Sequence, residues 1–165
     1  MICPSCHHDN IEGSDECVNC GAALYGLAQP GRQAPDFIHQ PLSNLPIREA
    51  PSVGPSDPVS LAIRQMRRAD ANCVLVMDGK SIAGIITGWD IVQKVAGQTE
   101  DLSAITCAQV MTAHPLFLHD EDSIGVAINM MASGGFRHVP ILRGEEPLGV
   151  IVANDIFRHI SPQLV

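Results

Sequence analysis

The chain has 165 residues, of which 45% are apolar, 17% charged and 4% aromatic, with 10 Lys and Arg set against 18 Asp and Glu. A chain of this size buries roughly 70% of its unfolded surface, enough for one compact domain with a small satellite, which excludes a long multidomain enzyme. The formal charge of -8, and a stretch of 25 residues at the start with no Lys or Arg, disfavour nucleic acid as a partner.

No apolar run approaches the ~20 residues that span a bilayer, so no membrane segment is expected. The opening Met-Ile-Cys-Pro has neither a basic start nor the roughly 7 to 15 apolar residues of a secretory signal, and a cytoplasmic location is expected. Four of the 6 cysteines form two Cys-x-x-Cys pairs, Cys3 with Cys6 and Cys17 with Cys20, a pattern of metal ligands rather than of disulfides. Four soft sulfurs in two knuckles suit tetrahedral Zn²⁺, with iron in a rubredoxin-like centre as the alternative. So short a segment has too little apolar surface to fold alone, and metal binding on the order of 10 kcal/mol supplies its order. His7 and His8 adjoin the first knuckle, but four cysteines already close the shell and leave no open position for catalysis. The head takes residues 1–25. Residues 26–44 hold Gly26, Pro30, Gly31, Pro35 and Pro41 without helical or strand period and read as a linker.

From residue 45 the chain repeats itself: 51–95 lies on 116–160 without a gap. Identical pairs include Asp57/Asp122, Ala62/Ala127, Met66/Met131, Val74/Val139, Gly84/Gly149 and Asp90/Asp155. In each copy a helix start (Asp57-Pro58; Asp122-Ser123) leads into apolar residues at helical spacing, Val59, Ala62, Ile63 and Met66 in the first copy. Two apolar runs follow, 73–77 and 82–86 or 138–142 and 148–152, around the turns Asp78-Gly79-Lys80 and Arg143-Gly144-Glu145. A last helix covers 88–95 or 153–160, and Val53 and Leu118 mark a short first strand. The expected fold is α+β: two β-α-β-β-α units, 45–97 and 98–165, packed as a pseudo-twofold pair because one unit of about 50 residues cannot bury its own sheet and helices.

Gly-Ile-Ile-Thr-Gly-Trp-Asp-Ile (84–91) and Gly-Val-Ile-Val-Ala-Asn-Asp-Ile (149–156) stand at matching places. With Val110-Met111-Thr112 and Arg137-His138-Val139-Pro140-Ile141, they resemble the cystathionine-β-synthase (CBS) domain family in its tandem form, the Bateman module. The head is similar to the zinc ribbons of many prokaryotic proteins. The CBS resemblance implies a regulatory module that binds AMP, ADP, ATP or S-adenosylmethionine in clefts between its repeats. The Ser/Thr-x-x-Asp of the last helix would hold phosphate and ribose, here Thr87 with Asp90, and Asp155 with Val152 in place of the hydroxyl. Arg137 is the phosphate candidate, with His138 and Thr112 as further ligand contacts. A helix start favours an anion, a carboxylate accepts both hydrogens of a ribose diol, and a guanidinium grips oxyanions through two bonds. Thr87-x-x-Asp90 equally matches a capping box, which needs no ligand. The resemblance also implies a homodimer through the helices 59–69 and 124–133, and the head has a partner protein as its expected contact.

No Gly-x-Ser-x-Gly, phosphate-loop or His-Glu-x-x-His motif occurs, and Cys73 and Cys107 sit in apolar surroundings without an activating neighbour, so no enzyme is expected. The alternative to a sensor is an adaptor that binds no small ligand and uses the pair and the ribbon as scaffolds.

Overall fold

A computed structural model describes residues 2–3, 6–11, 14, 16–22, 24, 36–97 and 101–163. The first repeat holds β1 (Ser52–Val53), α1 (Val59–Arg68), β2 (Cys73–Asp78), β3 (Ser81–Thr87) and α2 (Gly88–Lys94). A short helix α3 (Cys107–Val110) and strand β4 (Thr112–Ala113) follow. The second repeat holds β5 (Leu118–His119), α4 (Ile124–Gly134), β6 (His138–Arg143), β7 (Glu146–Val152) and α5 (Ala153–Ile160). The expected β-α-β-β-α order therefore recurs, in sheets ordered β1-β2-β3-β4 and β5-β6-β7. β1 runs parallel to β2, and β2 pairs antiparallel with β3 across a turn in which Gly79 takes φ 61; Gly144 takes φ 58 in the matching turn. Glycine alone adopts that left-handed conformation without steric cost.

The duplication is visible in what is buried. Val59/Ile124, Ala62/Ala127, Met66/Met131, Val74/Val139, Val76/Ile141 and Ile86/Ile151 are matching pairs, and every member is buried. They are the inward stripes of the two long helices and the inward residues of the central strands, at the periods of 3.6 and 2 that each element requires.

The chain divides into two compact units, residues 1–47, 118–139 and 151–165 in one, and 48–117 with 140–150 in the other. Within each unit, backbone bonds at the helix starts join segments that lie far apart in the sequence. Pro58, not Asp57, is the N-cap of α1 and makes no side-chain cap; the Asp57 carboxylate instead accepts from the Gly54 amide at 2.7 Å. The amide of Val59 donates to the Ile105 carbonyl at 2.8 Å, and the amide of Cys107 donates back to the Asp57 carbonyl at 2.8 Å. The matching bonds at α4 run from Ile124 to the Gln40 carbonyl and from Leu42 to the Asp122 carbonyl, both at 2.8 Å. Bridges Pro58 with Thr106, and Pro41 with Ser123, complete the correspondence. Residues 36–44, read from sequence as linker, thus form two 3-10 turns, Asp36–His39 and Leu42–Asn44, with Phe37 and Leu42 buried. Proline and polar residues hid them because their packing partner is the distant helix α4. Residues 26–35 of the expected linker lie outside the described residues.

Strand β4 pairs with β3 through Gly84 with Ala113 and Ile85 with Thr112, and a Cβ added at Gly84 would collide with the Met111 side chain. Overpacking of this kind costs about 1 to 3 kcal/mol. Gly84→Ala is therefore expected to lower the melting temperature by roughly 2–4 °C for each kcal/mol lost in a chain of this size, measured by scanning calorimetry.

Candidate functional site

Asp90 occupies the third residue of α2 and is buried, 8% exposed. Its Oδ2 accepts from the Thr87 amide at 2.9 Å and from the Thr87 hydroxyl at 2.6 Å, and its own amide reaches Thr87 Oγ1 at 3.4 Å. This is the complete capping box. Oδ1 accepts from Lys94 Nζ at 2.7 Å, and the same ammonium donates to the Val110 carbonyl at 2.8 Å. Burial would raise the Asp90 pKa, but the Lys94 ammonium and the Thr87 hydroxyl and amide outweigh it and hold the carboxyl below its ordinary value. Lys94 has no part in the sequence reading. The signal for it was the i,i+4 spacing from an acidic residue on one helix face.

The second repeat builds a different start. Val152 is the N-cap of α5 and offers no side-chain bond, while Asp155 at the third position is more deeply buried, 3% exposed. The Ala153 amide donates to the Arg137 carbonyl at 3.0 Å, as Gly88 does to Asn72 at 2.9 Å in the first repeat. The fold thereby brings the backbone of Arg137 to the first turn of α5, with the Arg137 side chain exposed and His138 half-buried beside it. The residue matching Lys94 is His159, whose Nε2 lies 3.0 Å from Gln40 Oε1. Thr112 is exposed on β4, two residues beyond the carbonyl that Lys94 holds. The candidates thus fall into two sets, Thr87, Asp90 and Thr112 in one unit and Arg137, His138 and Asp155 in the other.

The four head cysteines come together. Cys3 Sγ lies 3.6 Å from Cys20 Sγ, Cys6 Sγ lies 3.6 Å from Cys17 Sγ, and all four sulfurs are within 4.8 Å of one another. Sulfurs bound about 2.3 Å from one zinc stand about 3.8 Å apart at tetrahedral vertices, so the set fits that ion. They are far beyond the about 2.05 Å of a disulfide. Each knuckle is closed by its backbone: the His7 amide donates to the Cys3 carbonyl at 2.9 Å and the Gly21 amide to the Cys17 carbonyl at 2.8 Å. Buried Asn10 ties the second knuckle to the stretch after the first, donating to Cys17 Sγ at 3.5 Å and to the His8 carbonyl at 2.9 Å and accepting from the Val18 amide at 3.0 Å. Burial opposes ionisation of Cys17, but the amides of Cys20 and Asn19 and the Asn10 side chain outweigh it and bring the thiol down to about 6, whereas burial pushes Cys20 up. Cys73 and Cys107 are buried elsewhere; burial pushes the Cys73 thiol up to about 11 and raises Cys107, where the Asp57 charge adds to it. Both stay protonated and unreactive at neutral pH.

The fold is thus a doubled β-α-β-β-α unit with a buried carboxylate in the first turn of each closing helix, the frame of a tandem module. The CBS domain family matches the chain twice, over residues 42–97 and 107–162, and the chain belongs to that family. The CBS domain-containing protein CBSCBSPB3 of Arabidopsis thaliana is 38% identical over 90 residues, 54% of this chain and only 16% of that longer protein. Among solved structures, a CBS-domain protein from Burkholderia ambifaria MC40-6 is 27% identical with a TM-score of 0.67, covering 78% of this chain and 96% of its own. A CBS domain protein from Pyrobaculum aerophilum, complexed with AMP, shares the fold with a TM-score of 0.65 at 19% identity, over 74% of this chain and 99% of its own.

Two measurements test the first helix start. Thr87→Ala is expected to cost about 1 kcal/mol of stability in chemical denaturation, the usual weight of a cap hydroxyl. A carboxyl whose folded pKa is depressed stabilises the fold above its unfolded value near 3.9 and loses that contribution as pH falls through the folded value. Acid unfolding below about pH 4 is therefore expected to be shallower in Asp90→Asn than in the parent, with the two curves separating most at neutral pH.

Proposed function

We propose that the chain is a non-catalytic sensor that takes an adenosyl compound, AMP, ADP, ATP or S-adenosylmethionine, at its closing helix starts, and that Cys3, Cys6, Cys17 and Cys20 hold a structural zinc ion. The observation that carries the ligand reading is the buried Asp155 carboxylate at a helix start without a capping hydroxyl, beside the backbone of an exposed arginine. In this reading Asp155 accepts the ribose hydroxyls, Arg137 pairs with phosphate, and His138 contributes to the same set. Asp90, Thr87 and Thr112 form the weaker counterpart, because Lys94 already neutralises Asp90. The AMP complex of the Pyrobaculum relative supports the ligand class, and the sulfur spacing supports the metal.

No helix among the described residues is long and apolar enough to cross a membrane, and metal-type cysteines fit a reducing, cytoplasmic setting. The homodimer expected through α1 and α4 belongs to this reading, although the large exposed apolar side chains Trp89, Val92 and Phe157 lie on the other helices, α2 and α5. The satisfied Asp90 favours a second reading, an adaptor with no small ligand, in which the head docks a partner protein.

Calorimetry with AMP, ATP and S-adenosylmethionine at millimolar concentration is expected to give heat with at least one of them, reduced tenfold or more in affinity by Asp155→Ala, about 1.4 kcal/mol. Absence of heat with all three would leave the adaptor. Elemental analysis of the purified chain is expected to find one zinc per chain, lost in Cys17→Ser.

A further inference from the structure

The head is fastened at two places, to α4 of the second repeat and to the 3-10 turn beside the start of α4. The carbonyl of Cys20, itself a member of the metal set, accepts from Asn129 Nδ2 on α4 at 3.2 Å. The ring of His7, next to Cys6, stacks on the ring of His39 with centroids 5.7 Å apart and planes 30° from parallel. His39 ends the first 3-10 turn, and its neighbour Gln40 is the residue whose carbonyl receives the first amide of α4. The Gln40 side chain in turn lies 3.0 Å from His159 on α5. All of these residues belong to one compact unit. A continuous path of short polar and ring contacts thus leads from the cysteine cluster to the start of α4 and to the helix that carries Asp155.

Among the described residues, the head's own apolar core consists of buried Cys3, Cys17, Ala22 and Leu24. That is too small to order the segment without a metal. An ion that binds only the ordered head stabilises whatever is ordered together with it, in proportion to ln(1 + [M]/Kd). Asn129 and His39 gain their bonds only when the two knuckles are formed, since one partner is the Cys20 carbonyl and the other the residue beside Cys6.

We infer that Asn129 and His39 are positioning residues that clamp the four-cysteine head onto the second repeat, so that metal loading orders the segment 36–45 and α4 as well as the head itself. The head then works as an internal strut whose metal state is read by the second repeat, rather than as an arm free to reach a partner. The inference rests on the metal reading above, and the experiment separates the two.

The test compares the full chain stripped with a chelator against the same chain reloaded with one equivalent of Zn²⁺, by amide hydrogen exchange with the zinc content measured alongside. Loading is expected to slow exchange by roughly tenfold or more at Leu42, at Ile124 and along α4, as well as at Cys17 and Gly21 in the head. Failure to take up one zinc would remove the metal reading and the clamp together. Uptake of one zinc with protection confined to the head would overturn the clamp alone. Asn129→Ala with His39→Ala supplies the second readout: the double variant is expected to keep one zinc per chain and its metal-free melting temperature while losing the rise that zinc brings to α4. An equal fall in the metal-free and loaded melting temperatures would mean that the two residues merely pack, and would also overturn the assignment.

Discussion

A helix begins with N–H groups that have no partner within the helix, and the way α1 and α4 meet that demand organises the rest of the molecule. The residue directly before α4 caps it in part, Ser123 Oγ accepting from the Val126 amide at 3.3 Å, but the first amide of each helix finds its partner outside that helix's own repeat. The Ile105 carbonyl, from the segment that opens the second repeat, closes α1, and the Gln40 carbonyl, from the segment that precedes the first, closes α4. Each helix start is therefore completed only when chain well removed in sequence has arrived. The duplicated unit is accordingly a unit of sequence more than of folding, and a single repeat excised at its sequence boundaries would keep its own helix and lose the bond to that helix's first amide. The loop closures needed for this exchange are long, but their entropic cost grows only slowly with length.

Two sequence differences then make the repeats unequal where they otherwise match. Thr87 against Val152 decides whether the closing helix has a hydroxyl cap, and Lys94 against His159 decides whether the carboxylate one turn earlier meets an ammonium on its own helix. Asp90 is spoken for by three donors, an arrangement that suits stability and leaves less of its charge to a ligand. In the second repeat His159 faces Gln40 instead, which ties the closing helix to the capping segment and, through His39, to the cysteine head. Burying a carboxylate costs solvation that specific partners offset, and for Asp90 those partners are Thr87 and Lys94.

The head shows the same economy of means at a smaller scale. Its four sulfurs are gathered by two backbone-closed knuckles, and the buried amide side chain of Asn10 ties the second of them to the His8 carbonyl just past the first. With so little apolar surface, its order depends on the sulfur cluster and on its attachment to α4.

Much of this was legible before any coordinates. The offset that lays 51–95 on 116–160 placed every long helix and both strand hairpins to within a residue or two, because amphipathic period and turn glycines are local properties, whereas the short strand β4 was not read. The cysteine spacing identified the four sulfurs that converge, since a Cys-x-x-Cys knuckle is also local. The capping segment 36–45 was not legible as structure, although Leu42 and Leu45 sit at the same offset from buried Cys107 and Val110. Its prolines and polar residues made it resemble a tether, and its partner was more than 75 positions away in the chain. The Lys94 pairing was readable from spacing alone, whereas the bond from Asn129 to the Cys20 carbonyl was not. Sequence by itself determined the repeat, its main elements and the four cysteines that converge, all set by neighbours within a few residues. Only the tertiary structure decided which segment completes which helix and where the head attaches, because those bonds join backbone groups whose chemistry is the same at every position and whose choice is made by proximity.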